Sequence, residues 1–305
     1  MRTAAGRTRV ILNPSAAGGR ALRNVSSVRA VLEQKWQDID WCESRSARHL
    51  ADLCAEAVSE GFARVIIGGG DGSVHHALQA LAQSETALGI LPLGTGNDFA
   101  AAAGLPANAI DAARALCDGD PRAVDLGAAN GVYFCCVAGL GMDTPALKYI
   151  NDSWLPRGPF LYQLAAVKTL VGFPPCELSV ITGESEFHGR FHFAAFTNTP
   201  TYAGGNPVSP AATIADGKLD YCLFAAVPLL RRFGTFLRMK RGKHIGQPAV
   251  FHGVAENMTV NSPIPVPVTL DGELTSITTP LDIQLRRGVL KLICPGSNLP
   301  TRMTV

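Results

Sequence analysis

The chain has 305 residues, about twice the length of a typical domain, so two domains are expected. Hydrophobic residues make up 47% and charged residues 17%, which excludes a disordered chain and supplies ample material for a buried core. Lys and Arg together number 27 and Asp and Glu 25, and a net charge of only +2 excludes a protein that binds nucleic acid along its whole surface.

The cysteine pattern and the apolar segments indicate the cellular compartment of the protein. Eight cysteines without any C-x-x-C pair are typical of buried thiols in a reducing compartment. Near the N-terminus only Val10 to Leu12 are strongly apolar, whereas a signal peptide needs about 7–15 such residues. No stretch offers the roughly 20 mostly apolar residues of a membrane-spanning helix. The sequence therefore predicts a cytoplasmic protein that does not cross a membrane.

The first 120 residues alternate short apolar segments with amphipathic patterns. Strands are predicted at Arg9–Leu12, Arg64–Ile67 and Leu88–Leu91. Helices are predicted over about 22–36, 50–58, 74–81, 99–103 and 107–117. This alternation predicts a parallel sheet with helices on both faces.

From Val124 to about residue 295 the pattern is mainly that of strands. Phe187, Phe191 and Phe193, for example, alternate with polar or small residues. Helical patterns interrupt it at about 155–172 and 228–243. Prolines at 263, 265 and 267 favour an edge strand or an extended connection. The sequence therefore predicts a second, mainly antiparallel β domain over residues 124–285, after a first domain over residues 1–123.

The segment Gly68 to Ser73 is the most informative motif. Its three consecutive glycines let a ligand approach the main chain, and the helix that follows offers N–H groups and a positive dipole end to a phosphate. A tight turn without a ligand is the alternative. Asp71 favours a metal–nucleotide loop, because a carboxylate among phosphate-binding amides would repel phosphate unless Mg²⁺ bridged the two groups.

Two further loops follow predicted strands. Leu91 to Ala100 is glycine-rich, and so is Asn13 to Gly19. Loops after parallel strands share the carboxyl edge of the sheet, where ligands of such sheets bind. The motifs of P-loop nucleoside triphosphatases, dinucleotide-binding dehydrogenases, protein kinases and zinc peptidases are absent.

Several motifs together resemble the diacylglycerol kinase catalytic-domain family of lipid kinases, which includes sphingosine and ceramide kinases. The resemblance rests on Gly69–Ser73, Leu91–Ala100, Ala138–Asp143, Ala203–Gly205 with Asp216–Leu219, and Leu270–Glu273. It covers nearly the whole chain in the family's order. It implies an α/β nucleotide-binding domain, similar to NAD kinase and phosphofructokinase, then a β-sandwich, with the segment of about 286–305 returning to the first domain.

The resemblance also implies ATP and Mg²⁺ as cofactors, and it assigns roles to residues. The implied ATP-binding residues are Asn13, Ser15, Ser44, Gly69, Gly70, Asp71, Gly72, Ser73 and Thr95. Asp71 is also assigned to the catalytic machinery as a metal-holding residue. Asp216, with carbonyls near Thr213 and Lys218, matches a structural Mg²⁺ site. Ser44 and Ser73 stand where Thr is usual, and Cys136 where Asn is frequent.

Glu273 matches the family's proposed general base. From the residues alone, Glu273 fits an ordinary solvated turn acid, and its neighbour Asp271 is an equally good candidate for the base. The resemblance favours Glu273 and leaves Asp271 as the alternative.

The stretch from Leu229 to His244 is basic and amphipathic. Six Lys or Arg residues and no acid interleave with apolar residues at helical spacing. Such a helix fits the surface of an anionic membrane, or a surface helix whose apolar face packs on its own domain.

These observations predict an ATP- and Mg²⁺-dependent kinase that phosphorylates a lipid hydroxyl, with a diacylglycerol-like acceptor favoured. The expected partners are the lipid and an anionic membrane surface at the cytoplasmic face, where the protein binds peripherally. A homodimer is compatible with the sequence, and no nucleic acid partner is expected. Two alternatives are a kinase of a soluble hydroxyl, as in the NAD kinase relatives, and a catalytically silent regulator that binds nucleotide or lipid.

Overall fold

The computed structural model describes residues 6–16, 25–155, 159–296, 299, 301 and 302. The chain forms two compact units. The first comprises residues 1–125 and 287–301, and the second comprises residues 126–286 and 302–305. Among the described residues, no helix has the length and apolar character needed to cross a membrane.

The strands are β1 (Thr8–Leu12), β2 (Ile39–Glu43), β3 (Arg64–Gly69), β4 (Ala87–Pro92), β5 (Asp120–Ala129), β6 (Val132–Phe134), β7 (Val137–Gly141), β8 (Cys176–Thr182), β9 (Glu186–Thr197), β10 (Leu219–Ala225), β11 (Val250–Ala255), β12 (Asn257–Asn261), β13 (Pro267–Leu270), β14 (Glu273–Thr278) and β15 (Leu281–Cys294). The helices are α1 (Val25–Lys35), α2 (Ala47–Ser59), α3 (Asp71–Leu81), α4 (Asp98–Ala102), α5 (Ala109–Asp118), α6 (Asp143–Asp152), α7 (Pro159–Gly172) and α8 (Leu229–Met239).

The first unit is built on a parallel sheet in the order β2-β1-β3-β4. The end of β15 pairs in parallel with β4, through Leu292 and Leu88. β1, β3 and β4 are buried along almost their whole length, as their continuous apolar runs require. α1 packs against α5 and α2 against α3. The predicted parallel α/β architecture of this unit is confirmed.

Helix boundaries in this unit follow ordinary capping chemistry. The Ser46 side chain accepts a hydrogen bond from the backbone N–H of His49 and begins α2. The Asn108 side chain accepts hydrogen bonds from the first N–H groups of α5. These caps orient the helices whose buried faces cover the sheet.

The second unit is mainly antiparallel, as predicted. Its strands follow the order β14-β13-β7-β9-β8-β12-β15, and β10 pairs with β9 and β11. The first half of β9 pairs with β8, and its second half lies between β7 and β10. Buried aromatic and aliphatic side chains of this unit, among them Phe134 of β6, Phe196 of β9 and Leu281 of β15, form its core.

Three helices lie in the described part of the second unit. α6 packs on β7, β13 and β14, and α7 packs on α6 through Leu147, Ile150, Leu161 and Ala165. α8 contacts α7. α7 and α8 match the two predicted helical intervals, whereas α6 is a difference from the prediction, which had no helix there.

Two other differences concern strands. β2 was not predicted, because Asp40 and Glu43 interrupt its apolar residues and the strand is only half-buried at one edge of the sheet. Pro263 and Pro265 lie in the irregular connection before β13, as one of the two predicted alternatives had it, whereas Pro267 begins β13, which lies between β14 and β7 and is not an edge strand. The start of the first predicted helix and residues 17–19 of the first glycine-rich loop lie outside the described residues.

Candidate functional site

Three loops leave the carboxyl ends of neighbouring strands in the first unit. They follow β1, β3 and β4, whose registers bring Leu12 beside Gly68 and Gly69 beside Pro92. The predicted glycine-rich segments therefore share one edge of the parallel sheet, as ligand-binding loops of such sheets do.

Backbone and side-chain hydrogen bonds join the first loop to the second. The backbone N–H of Asn13 donates to the carbonyl of Gly68 at 2.8 Å. The Asn13 side-chain amide donates to the hydroxyl of Ser73 at 2.9 Å, and its carbonyl accepts from the N–H of Ser15 at 3.0 Å. Asn13 thus holds the start of α3 and its own loop in one arrangement.

The main chains of the second and third loops are in close contact. The N–H of Leu93 donates to the carbonyl of Gly69 at 2.9 Å. A Cβ on Gly94 would lie 2.4 Å from the Cα of Gly70, and a Cβ on Gly70 would lie 3.0 Å from the Cα of Gly94. Both positions therefore require glycine for reasons of space.

Asp71 is the first residue of α3, and Gly70 is its N-cap. A glycine cap brings no side chain over the helix end, so the positive end of the helix dipole faces the loops. The Asp71 carboxylate accepts a hydrogen bond of 3.1 Å from the backbone N–H of Phe99, near the start of α4. Asp71 therefore positions α4 and also puts a carboxylate at this edge.

The remaining predicted ATP-binding residues are located as follows. Ser44 follows β2 and is buried, and both its N–H and its hydroxyl donate to the carbonyl of Leu12, at 2.8 and 3.3 Å. Ser15 and Thr95 are exposed in the first and third loops. The third loop is closed by the Asn97 side chain, which accepts from the N–H of Gly94 and donates to its carbonyl.

The donor set at this edge fits a magnesium-bound polyphosphate. Gly69, Gly70 and Gly72 carry no side chain that would keep a phosphate from the main chain, and the N-terminus of α3 favours an anion. Asp71 supplies the hard oxygen ligand that Mg²⁺ prefers.

In the second unit, Asp271 and Gly272 form the two-residue turn between β13 and β14. Both have positive φ, 51° and 81°, and Leu270 pairs with Glu273 across the turn, as in a type I′ hairpin. The turn thus brings Glu273 to the first position of β14, partly exposed.

The carboxylate of Asp271 is buried and accepts three backbone hydrogen bonds. The donors are the N–H groups of Cys135 at 3.0 Å, Cys136 at 2.7 Å and Val137 at 3.0 Å. In return, the N–H of Asp271 donates to the carbonyl of Val137. Asp271 therefore acts as an anchor between β13 and the start of β7.

The thiols of Cys135 and Cys136 lie near the same carboxylate, close enough for the three residues to be considered as a metal site. Both oxygens of Asp271 already accept main-chain N–H groups, and the Cys135 thiol lies 3.6 Å from one of them. The chemistry of this cluster is that of a hydrogen-bonded anchor. Cys136, which replaces the usual Asn, contributes its main chain to the anchor.

The residues matched to a structural Mg²⁺ site lie just before β10. One Asp216 oxygen accepts the N–H of Lys218 at 3.2 Å, and the other accepts the Arg302 guanidinium. Thr213 is buried and Lys218 is exposed. The cation on Asp216 in this structure is therefore an arginine, which no sequence motif indicated.

Asp143 is a second residue whose role the sequence did not reveal, although it ends the motif Ala138–Asp143. Its carboxyl packs on Gly139, where a Cβ would lie 2.1 Å from the oxygen. The hydroxyls of Tyr202 and Thr269 donate to the same oxygen, at 3.1 and 3.4 Å. Burial raises the pKa of Asp143 to about 7, against the lowering effect of these two hydrogen bonds.

Comparisons with known proteins agree with this architecture. The family model described as "Diacylglycerol kinase catalytic domain" matches residues 7–129, and the one described as "YegS C-terminal NAD kinase beta sandwich-like domain" matches residues 136–294. A Bacillus anthracis crystal structure described as a diacylglycerol kinase has a TM-score of 0.74 at 21% identity, covering 95% of this chain and 97% of that one. That likeness shows the fold.

Sequence relatives extend over the whole chain. A protein named diacylglycerol kinase from Mycobacterium tuberculosis is 31% identical over 300 residues, which are 95% of this chain and 96% of that protein. A protein named "Probable lipid kinase YegS-like" from Shewanella frigidimarina is 32% identical over 281 residues, 87% of this chain and 86% of that protein. With both family models matched in order, the chain belongs to the bacterial lipid kinase family of diacylglycerol kinases and YegS-like proteins.

Proposed function

We propose that this protein transfers the γ-phosphoryl group of ATP to the free hydroxyl of a diacylglycerol-like lipid. The observation that carries the proposal is the edge formed by three loops around the N-terminus of α3, with Asp71 at its first position. This edge suits a magnesium-bound polyphosphate, and the relatives named as diacylglycerol kinases support the acceptor class.

Each residue has a role in this chemistry. The loops orient the phosphates, and Asp71 holds Mg²⁺, which when bound offsets the charge of the phosphates. Glu273 takes the proton of the attacking lipid hydroxyl as the oxygen–phosphorus bond forms and the bond to the ADP oxygen breaks. General-base catalysis of this kind contributes about 10²–10⁴-fold to the rate.

The experiment measures phosphate transfer from γ-labelled ATP to vesicles that contain diacylglycerol, a sphingoid base or a polyprenol, and to soluble NAD. We expect transfer to diacylglycerol. Labelling of NAD alone would support a kinase of a soluble hydroxyl, and nucleotide binding without labelling of any acceptor would support a silent regulator.

Two variants test the proposed roles of Glu273 and Asp71 in the same assay. Glu273→Gln should lower kcat by about two to four orders of magnitude and leave ATP binding unchanged. Asp71→Asn keeps an oxygen acceptor for the N–H of Phe99, so the fold should persist while affinity for Mg-ATP, measured by calorimetry with and without Mg²⁺, falls. Wild-type turnover in either variant would contradict the corresponding role.

We further propose that α7 and α8 attach the protein to the cytoplasmic face of an anionic membrane. None of the residues of α8 is buried, and Leu230 is 87% exposed. On and beside α7, Trp154 is 91% and Phe160 72% exposed. Large exposed apolar side chains bordered by basic ones fit an interfacial helix.

The basic residues of α8 and of the turn after it differ in their contacts and exposure. Arg232 donates to the carbonyl of Leu170 in α7 at 2.6 Å, so this side chain is used in packing. Arg231, Arg238, Lys240, Arg241 and Lys243 are exposed. Each basic residue near an anionic surface contributes about 1 kcal/mol, enough in sum for reversible attachment.

Vesicle co-sedimentation tests this attachment. The protein should bind vesicles with anionic lipid more than neutral vesicles, and high salt should release it. Changing Arg238, Lys240, Arg241 and Lys243 to Gln should reduce vesicle binding and activity on vesicle-borne lipid, but not activity on detergent-dispersed lipid.

A matched control removes the same charge from exposed positions of the first unit, through Arg29, Lys35, Arg48 and Arg114 changed to Gln. The control should bind vesicles like the wild type. Equal loss of binding in the two variants would contradict a role specific to α8.

A further inference from the structure

The guanidinium of Arg302 forms hydrogen bonds with two carboxylates of the second unit. Its Nε donates to Asp216 Oδ2 at 2.5 Å, and its two terminal nitrogens donate to the two oxygens of Asp220, at 3.0 and 2.7 Å. The three side chains are largely withdrawn from solvent, with exposed fractions of 25% for Arg302, 20% for Asp216 and 11% for Asp220. This is a bidentate contact with an added third hydrogen bond, the strongest arrangement open to arginine.

The local chain brings the two acids together. Asp220 is the second residue of β10, and Asp216 belongs to the loop before it. Gly217, with a φ of +72°, turns the chain between them. Two carboxylates this close and this poorly solvated repel each other and require a cation.

The resemblance to lipid kinases implies a structural Mg²⁺ at Asp216, and the residues here do not fit one. One Asp216 oxygen accepts the N–H of Lys218, and the other accepts the guanidinium. Both oxygens of Asp220 are engaged by the same guanidinium. A divalent ion at this position would lie against the positive charge of Arg302.

We propose that Arg302 is the resident cation of this position, so that the second unit uses an arginine of its own chain where the resemblance implies a bound divalent metal. The metal requirement of the protein is then confined to its nucleotide. The proposal does not depend on which acceptor the protein phosphorylates.

Thermal unfolding of the full chain without nucleotide tests this assignment. We compare EDTA, MgCl₂ and NaCl, the last two at equal ionic strength so that general screening is matched. The Tm of the wild type should be the same in all three. Arg302→Ala should lower the Tm in EDTA by about 3–8 °C, because it leaves two acids without their cation. MgCl₂ should then raise the Tm of this variant, whereas NaCl should not.

Three further variants sharpen the result. Arg302→Lys keeps a positive charge but not the bidentate contact, so its Tm should be intermediate and insensitive to Mg²⁺. Arg302→Ala combined with Asp216→Asn and Asp220→Asn removes the repulsion, so this variant should be more stable in EDTA than Arg302→Ala and should not respond to Mg²⁺. Arg286→Ala, at an exposed arginine of the same unit, should behave as the wild type.

Three outcomes would overturn the proposal. The first is that MgCl₂ raises the Tm of the wild-type protein more than NaCl does. The second is that Arg302→Ala in EDTA has the same Tm as the wild type. The third is that Arg302→Ala is destabilised but its Tm does not respond to Mg²⁺. The last outcome would make Arg302 an ordinary ion pair. Because the measurement is of stability, its failure is distinguishable from a failure of the kinase assay.

Discussion

Asp271 and Glu273 are two residues apart, yet their surroundings differ. Asp271 is buried, and its carboxylate accepts three main-chain N–H groups. Glu273 is partly exposed and opens β14. The oxygens of the Asp271 carboxylate are taken up by main-chain hydrogen bonds within the fold, whereas a partly exposed carboxylate can be approached from solvent.

This contrast predicts opposite phenotypes for two isosteric changes. In Asp271→Asn the amide NH₂ faces N–H donors, so at least one hydrogen bond is lost and a donor is left buried. The free energy of unfolding should fall by about 2–4 kcal/mol in urea titrations. Glu273→Gln should unfold like the wild type. Wild-type stability of Asp271→Asn would contradict its role as an anchor.

Asp143 predicts a pH dependence of stability. Its pKa is raised to about 7 in the folded protein from an ordinary value of 3.8, chiefly by burial. The folded state thus binds this proton more tightly than the unfolded state, so stability is lost as pH rises from about 4 to about 7 and the loss is complete above that range.

The variant Asp143→Asn removes this contribution and keeps an acceptor for the hydroxyls of Tyr202 and Thr269. Its stability relative to the wild type should increase between about pH 4 and 7 and then stay constant, as measured by unfolding across the pH range. Since one pKa unit corresponds to about 1.4 kcal/mol, the full difference would be several kcal/mol. If the unfolding free energies of the two proteins changed in parallel with pH, the raised pKa of Asp143 would be contradicted.

At the level of residues, the sequence could predict positions that lie in local motifs. Gly69 to Ser73 and Asn13 are such positions, and the structure brings them together at one edge. The contacts of Asp271 and Arg302 could not be predicted, because their partners lie about 135 and 86 positions away in the chain. Contacts of this kind depend on strand pairing and leave no local pattern.

At the level of elements, buried strands and amphipathic helices were predictable. β3 and β4 are short apolar runs bounded by loops, and α2 and α3 bury residues at three- and four-residue spacing. β2 was missed because a half-buried edge strand carries polar residues. α6 was missed because it directly follows the glycine-containing motif that ends at Asp143, and because Pro145 in its first turn reads as a helix breaker.

The contact between the second and third loops gives an element-level prediction. In Gly94→Ala the new methyl group would lie 2.4 Å from the Cα of Gly70 and 2.7 Å from the Asn97 side chain, so the loops must separate. We expect a loss of about 1–3 kcal/mol in unfolding free energy and weaker ATP binding by calorimetry.

The matched control is Gly234→Ala in α8, where an added Cβ meets nothing within 4 Å. Alanine is the better helix former, so this change should leave stability unchanged or raise it by up to about 1 kcal/mol. If Gly94→Ala behaved like Gly234→Ala, the close approach of the loops would not be a constraint.

For the whole molecule, the sequence could predict an α/β part followed by an antiparallel β part, and both are confirmed. The structure places the changes from one unit to the other within β5 and again within β15. Periodicity describes these strands as single elements, and nothing local marks the residue at which a strand leaves one core and enters another.

The contact of Gly70 with Gly94 also limits how the sequences of related proteins can change during evolution. A Cβ on Gly94 would clash with the main chain of Gly70, and a Cβ on Gly70 would crowd that of Gly94, so both positions favour glycine whether or not a nucleotide is bound. A descendant that had lost its catalytic carboxylate would still be under selection to keep both glycines, simply in order to fold. Persistence of this glycine pair in a lineage is therefore expected from packing alone, and it is not by itself a sign of nucleotide binding.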